Sequence, residues 1–518
     1  MKHGIILGAL QSNPGHQGLG TDLNWISLKR SGGAHKIATF LRNEGWDVEV
    51  LDYWLTFTEE EFQLFCKQRI NANTKFLGVS VTFGYKAQIL ELCIKNLEWF
   101  KKEYPDITII AGSKAISDTR ALPCDYYVTG FGEFGLLHLL NGTAKITEFM
   151  GKQVINSDKD HPCFPQKDLQ VRYEDRDYLQ PTDNLTLELS RGCKFKCKFC
   201  SYNAIGLKGD IDRDMDTLYS EMKENYDRFG ITTYHIADET TNDSTEKLRK
   251  AAEQIKKLPF KPNLTGFIRA DLLVSATRED DKKYLAEMGF WAHYYGIETY
   301  NEKAGRVIGK GMDRDRMKQG LIDIKDYFWK EVGRYRSTTS LIVGLPYETE
   351  ESFFEGLDWH LENFPKENII AFPLFINKYA EYLGDLFATS EFDMTWNDGK
   401  HFHDKLITDE EVGATPEAFP NTGLRAWLWG GYKNDAALPW SHDTFNWWTA
   451  HITYSKIWTR GYIANRGIMN WDLFNFTTPG TYDWDSVLDI SYDNYDVEQL
   501  DKDTKLHIQK YKNAKLNV

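Results

Sequence analysis

Short apolar runs recur along the first 150 residues, each followed by a longer stretch whose apolar positions return every three or four residues. The runs are Gly4–Gly8, Asp47–Leu51, Phe76–Val81, Ile107–Ala111 and Tyr126–Val128; the amphipathic stretches are Ala34–Asn43, Glu59–Gln68, Lys86–Glu103 and Gly132–Leu140. This alternation predicts a doubly wound, Rossmann-like parallel sheet of five strands, with ligands beyond the strand C-termini. It resumes after residue 183, with strands expected at Leu185–Leu189, Thr233–Ala237, Leu264–Ile268, Trp291–Tyr295, Ser340–Val343 and Ile369–Phe375. The helix expected at Asp216–Phe229 has Asp216 as N-cap and Gly230 as its stop. Polar groups close several of these strands: Asp238-Glu239, Arg269-x-Asp271, Gly296-Ile297-Glu298 and the turn Gly344-Leu345-Pro346. Strand C-termini are where α/β barrels build their active sites, so a barrel or part of one is expected.

Between the two patterns, Gly151–Thr182 is polar and proline-punctuated and reads as a linker. Beyond residue 380 the periodicity gives way to interleaved aromatics, with nine of the 16 tryptophans. That region reads as mainly helical. Its aromatics suit the core of a small helical domain, and they also suit a pocket floor or a cap on the barrel. The division is 1–150, a linker over 151–182, 183–380 and 381–518.

Composition narrows the class. Hydrophobic residues make up 42% and aromatics 14% of 518 residues, enough for several packed cores. The formal net charge of −14 opposes docking on an anionic membrane or a nucleic-acid backbone, with tRNA left open. No apolar run reaches the ~18–20 residues of a membrane span. Met1-Lys2-His3-Gly4 runs into Ile5-Ile6-Leu7 without a cleavage site, as a strand and not a signal peptide. Seven cysteines are too few and too uneven for a secreted disulfide scaffold, so a cytoplasmic protein with reduced thiols is expected.

Three of the seven lie together in Arg191-Gly192-Cys193-Lys194-Phe195-Lys196-Cys197-Lys198-Phe199-Cys200, spaced C-x3-C-x2-C. Three thiolates on one tight loop can hold three irons of a four-iron, four-sulfur cluster and leave the fourth open to a ligand. A zinc ion is the alternative, although a structural zinc site wants a fourth ligand and usually two separated pairs. Cys66, Cys93, Cys124 and Cys163 are scattered and read as buried small hydrophobes, and no second cluster motif accompanies the first. His401 and His403 read as surface histidines.

This cysteine loop, entered through Glu188-x-Ser190-Arg191-Gly192-Cys193 and followed by that series of strand ends, resembles the radical S-adenosylmethionine (SAM) superfamily. The resemblance implies a partial (β/α)6 barrel whose Cys193, Cys197 and Cys200 carry a [4Fe-4S] cluster. It implies that Phe199 lies beside the SAM adenine, that Asp238 and Glu239 take the amino group and that Arg269 lies near the carboxylate. Glu298 would contact the ribose, and Gly344 would let the backbone approach the adenine. Read alone, Asp238 and Glu239 suit a helix cap equally well, and Gly-Leu-Pro suits plain strand-to-helix punctuation.

The first unit resembles the cobalamin-binding domain found upstream of many radical SAM cores. The likeness rests on Gly32-Gly33-x-x-Lys36-x-Ala38-x-x-Leu41-x-x-x-Gly45-x-x-Val48-x-Val50-x-Asp52, on Asp125 and on Gly130-x-Gly132-Glu133. It implies cobalamin contacts at Ser80, Thr82, Gly112, Ser113, Gly130, Gly132 and Glu133. No D-x-H-x-x-G occurs, His16 having the wrong neighbours, so a histidine lower ligand to cobalt is not expected.

Together the resemblances imply SAM cleavage to a 5′-deoxyadenosyl radical, hydrogen abstraction from a small-molecule or peptide substrate, and cobalamin-dependent methyl transfer to an unactivated carbon. An electron donor such as flavodoxin or ferredoxin would act as partner. Two readings remain beside it: a cobalamin-independent radical SAM enzyme with a vestigial first domain, and a non-catalytic iron–sulfur or zinc protein.

Overall fold

The computed structural model describes residues 1–8, 12–13, 25–26, 30–81, 87–113, 122–149, 151–161, 170–200, 209, 211–311, 313–365, 367–374, 395–396, 408–412, 440–459 and 497–517. Thr82, His16, Cys163, His401 and His403 lie outside these residues.

Strands β1 (His3–Leu7), β2 (Asp47–Leu51), β3 (Thr74–Ser80), β4 (Thr108–Ser113) and β5 (Tyr126–Thr129) form the first sheet with β6 (Thr147–Phe149) and β7 (Lys152–Asn156). Their order is β2-β1-β3-β4-β5-β7-β6, parallel throughout except for β6, which is antiparallel to β7. The order reverses between β1 and β3, the crevice where doubly wound sheets bind ligands. Helices α1 (Gly32–Asn43), α2 (Glu59–Arg69), α3 (Ala87–Glu103) and α4 (Gly132–Leu140) accompany it. The sheet runs to Asn156, so it continues past the expected boundary at residue 150 and takes the start of the expected linker as a strand. The β6–β7 hairpin turns at Gly151, whose φ of +73° suits glycine. Strands of three and five residues leave little apolar alternation to read.

The second sheet is six parallel strands in chain order: β8 (Asn184–Leu187), β9 (Thr233–Ile236), β10 (Asn263–Ile268), β11 (Phe290–Glu298), β12 (Arg336–Val343) and β13 (Asn368–Pro373). Helices α5 (Met215–Phe229), α6 (Thr245–Ile255), α7 (Asp280–Met288), α8 (Glu302–Val307), α9 (Arg314–Val332) and α10 (Glu350–Asn363) fall between them, which makes a partial (β/α)6 barrel. Helix α5 is capped by Asp214, whose side chain accepts from the Asp216 amide, and not by Asp216 itself. Gly230 ends it in the left-handed region at φ 72°.

The C-terminal region is split between the two sheets. Trp440, Trp447, Trp448, Ala450 and Tyr454, most of them on α11 (Trp447–Thr459), join the barrel core. Helix α12 (Val497–Leu516) returns to the first sheet, where the Tyr511 hydroxyl accepts from the Asp52 amide and Lys515 donates to Glu49 (2.9 Å). Between the units, buried Arg30 bridges Asp52 (3.3 Å) and Asp183 (2.8 Å), and His507 of α12 reaches Asp183 at 3.0 Å. No helix among the described residues is long and apolar enough to cross a membrane.

Candidate active site

The cysteine loop leaves the C-terminal end of β8. Its base is closed by a short antiparallel pair, Ser190–Arg191 against Ile211–Asp212. Within it the Cys200 amide donates to the Cys197 carbonyl (3.1 Å), which curls the chain into a tight turn. The Lys198 amide donates to the Ile308 carbonyl (3.0 Å), docking the loop on the segment after α8. Gly309, whose φ of +82° favours glycine, packs beside this contact, near the Lys196 carbonyl and the Cys197 Cα.

Cys197 is buried, while Cys193 and Cys200 are half-buried. Burial pushes the Cys193 thiol up from its usual range. Arg269, at the end of β10, donates to the Cys197 sulfur at 3.3 Å and is held by Asp271 at 2.6 Å. Its guanidinium lies 4.0 Å from the centroid of the Phe195 ring. Burial works against the Arg269 cation, but Asp271 and Cys197 outweigh it and hold its pKa above the ordinary value. Among the described residues, no three His, Cys, Asp or Glu side chains converge as ligands on a single metal ion. A lone zinc ion needs such convergence. In a four-iron cluster each thiolate bonds its own iron, which three cysteines carried by one loop can do.

The acidic pair after β9 divides. Asp238 is buried: it accepts from the Leu189 amide (2.7 Å) and the Ser190 hydroxyl (2.9 Å), with Lys247 3.3 Å away. Burial raises its pKa. Lys247, fully buried on α6, also meets Asp243 at 2.5 Å. Asp238 thus ties the start of the cysteine loop to the end of β9. Glu239 beside it is half-buried.

At the end of β11, Glu298 takes a left-handed backbone at φ 68°, rare for a side-chain-bearing residue. This follows a register shift between Gly296 and Glu298 and turns the carboxylate back over Gly296. A Cβ at Gly296 would lie 2.5 Å from Glu298 Oε1 and 2.6 Å from Lys310 Nζ, so the pair lies directly over this glycine and any side chain there would push its charged ends aside. Lys310 donates to Glu298 at 2.9 Å and lies 5.6 Å from the centroid of Phe199. Lys310 was missed in the sequence because it sits twelve residues beyond Glu298, after a helix, in a Gly-Lys-Gly run with several ordinary readings.

Gly344, at φ 92° after β12, is approached by Trp440 and Ala450: a Cβ there would stand 2.6 Å and 2.9 Å from them. The His442 Nε2 lies 3.0 Å from its carbonyl. The C-terminal region therefore covers this turn. Glu348, four residues on, is buried, and burial pushes its carboxyl up to about 8 against a hydrogen bond from the Thr299 hydroxyl.

On the first sheet, Ser80 and Ser113 end β3 and β4, and among the described residues the Val128 carbonyl alone comes within 4.0 Å of a would-be Cβ at Gly112. Gly130, at φ +85°, faces Asp158, which accepts from the Phe131 amide at 2.8 Å. Gly132 opens α4. Glu133, on the first turn of α4, is buried and ion-paired with Arg191 of the cysteine loop. Burial raises and Arg191 lowers the Glu133 pKa, and Arg191 prevails. Lys36 of α1 pairs with Glu188, and the Arg191 guanidinium sits 4.2 Å from the Phe131 centroid. Both α1 and α4 present their N-terminal halves here, so the C-terminal end of the first sheet's strands faces the loop at the C-terminal end of β8.

The Radical SAM superfamily model matches residues 187–359. An uncharacterized methyltransferase of Pyrococcus horikoshii is 22% identical over 342 residues, 61% of this chain and 69% of its own. The tRNA-2-methylthio-N(6)-dimethylallyladenosine synthase of Natranaerobius thermophilus is 22% identical over 313 residues, 58% of this chain and 64% of that enzyme. Among solved structures, the radical SAM methyltransferase TsrM from Kitasatospora setae superposes with a TM-score of 0.54 at 14% identity, over 72% of this chain and 73% of TsrM. The cobalamin-dependent SAM radical enzyme OxsB gives 0.50 at 16% identity, over 69% of this chain and 52% of OxsB. At these identities the likeness is one of fold.

Proposed function

We propose, from the premise that this chain belongs to the radical SAM superfamily, that it transfers a methyl group from cobalamin to an unactivated carbon of its substrate. When bound, the reduced cluster supplies one electron to SAM, the SAM-derived radical removes a hydrogen atom, and methylcobalamin supplies the methyl group. TsrM has been solved with cobalamin and a [4Fe-4S] cluster bound, and OxsB with aqua-cobalamin and SAM.

The protein's own residues then have distinct tasks. Cys193, Cys197 and Cys200 hold the cluster, and Arg269 steadies the Cys197 sulfur by its hydrogen bond. Glu239 takes the SAM amino group, because both oxygens of Asp238 are already engaged with Leu189 and Ser190. Glu298, braced by Lys310, contacts the ribose, with Phe199 alongside. Ser80, Gly112 and Ser113 line the face for cobalamin; Gly130, Gly132 and Glu133 shape it from the adjoining turn. The protein acts by orienting and by excluding water. An external donor such as flavodoxin or ferredoxin supplies the electron, and the reduced thiols suit the cytoplasm.

The observation that carries this reading is the Glu133–Arg191 pair, which sets the first sheet's ligand edge against the cysteine loop. Its test is anaerobic incubation with SAM, dithionite, CD3-labelled methylcobalamin and a small-molecule and peptide extract as the source of substrate. The reading expects 5′-deoxyadenosine together with a labelled methyl product. Absence of 5′-deoxyadenosine from iron-replete protein overturns it.

Methylthio transfer is a second reading, favoured by the Natranaerobius relative. It is weakened by the first sheet's cysteines. Cys66 and Cys93 lie in its core, and burial pushes the Cys93 and Cys124 thiols up to about 12, away from ligand thiolates. Iron separates the two: about four per chain for one cluster, about eight for two.

A further inference from the structure

The inner face of the partial barrel bears on what the substrate is. Side chains of β10, β11, β12 and β13 alternate between two faces. His293 and Tyr295 point outward, His293 packing 4.3 Å from the Phe328 ring of α9. The opposite set is in register across the sheet: Phe267 beside Tyr294, Gly296 beside Ser340, Ser340 beside Ile370 and Ile342 beside Phe372. The Phe267 and Tyr294 rings meet edge to face at 4.8 Å, and the Tyr294 hydroxyl is hydrogen-bonded with Ser340.

The outward set is buried, whereas Phe267, Tyr294, Ser340, Ile342 and Ile370 are only half-buried and Phe372 is 52% exposed. Within a barrel, an accessible apolar surface on the concave side beside the site's charged residues is a ligand surface. The charged groups on or over this set have counter-charges of their own: Arg336, at the start of β12, lies 3.9 Å from Glu367, and the Glu298–Lys310 pair lies over Gly296. The nearest rim charges are already paired, Arg269 with Asp271 and Glu298 with Lys310. A carboxylate or ammonium brought onto this face would lose water without gaining a counter-charge. An uncharged ring would gain burial and edge-to-face contacts.

We propose that this face receives an uncharged aromatic group of the substrate, laid from Tyr294 across Ser340 and Ile342 towards Phe372, with the Ser340 hydroxyl as its polar contact. This rests on the radical SAM reading of the same site.

The test uses the full chain, reconstituted anaerobically with iron and sulfide and supplied with SAM. The probe is p-cresol, compared with 4-methylbenzoate as its anion and 4-methylcyclohexanol as its saturated counterpart, by equilibrium dialysis. Saturable p-cresol binding is expected, tighter than that of either comparator by about fivefold or more, a gap of about 1 kcal/mol. Phe372→Asp, at an exposed position that folding tolerates, should weaken p-cresol by a similar factor while iron content holds. Equal or tighter binding of 4-methylbenzoate or 4-methylcyclohexanol overturns the proposal, as does unchanged p-cresol binding in Phe372→Asp. Dithionite-driven 5′-deoxyadenosine from the same wild-type preparation keeps the failures apart. Its formation alongside a preference for the anion sinks only the substrate class. Its absence sinks the underlying reading.

Discussion

Arg191, two residues before Cys193, is ion-paired with Glu133 on the first turn of α4, and both side chains are nearly buried. A desolvated pair of this kind adds little net stability but is costly to break, because the surviving charge is left without its partner. Its value is geometric. It fixes the loop carrying Cys193 against the edge of the first sheet.

Glu133→Gln should therefore lower the thermal midpoint by several degrees, from a loss of about 3 kcal/mol or more. Iron content and 5′-deoxyadenosine formation should persist while methyl transfer falls by about tenfold or more. Calorimetry and product analysis on one preparation check this. A variant in which both activities fall together with iron would instead make the pair purely structural.

Lys310→Ala leaves Glu298 without its cation in a buried position. The expected result is SAM binding weakened by about tenfold or more at unchanged iron content. Gly296→Ala should weaken SAM binding by less, since its Cβ would push aside the ends of the carboxylate and ammonium side chains without removing either. Equilibrium dialysis with SAM reads both variants.

Arg269→Met removes a positive charge and a hydrogen bond from the Cys197 sulfur. Reduction adds negative charge to the cluster, so this variant should have the more negative reduction potential. A spectroelectrochemical titration against wild type measures the shift. A potential unchanged or more positive would show that Arg269 does not act on the sulfur.

Glu348 gives a pH dependence with a definite sign. Burial raises its pKa from 4.5 to about 8, so the native state holds a proton that the unfolded chain releases earlier. This contribution to stability is complete below about pH 4.5 and is lost as pH rises towards 8. Thermal midpoints of Glu348→Gln and wild type should therefore diverge in favour of Gln between pH 5 and 8. Parallel curves would contradict the buried, protonated state.

The legible parts of this chain were those with local signals. Strand and helix alternation was readable because burial on both faces of a parallel sheet forces continuous apolar runs, as at Ile107–Ala111. The cysteine loop stood out by its C-x3-C-x2-C spacing, and the series of polar strand ends after it carried the resemblance. Contacts between distant segments were not. Arg30 meets Asp183 and lies near Tyr511 across 153 and 481 residues, and no local pattern marks such a meeting. Gly344 carried a turn signal, but nothing in that signal said that Trp440 would lie against it. Glu133 was read as a cofactor contact from its neighbours, while its partner Arg191 comes 58 residues later.

The most direct test of the two-cofactor account is iron and cobalt analysis after anaerobic reconstitution with iron, sulfide and hydroxocobalamin. Wild type should hold about four irons and about one cobalt per chain, and Cys193→Ala, Cys197→Ala and Cys200→Ala should each lose the iron while keeping the cobalt. Iron retained in all three variants, or wild-type protein that binds no cobalt, would contradict it.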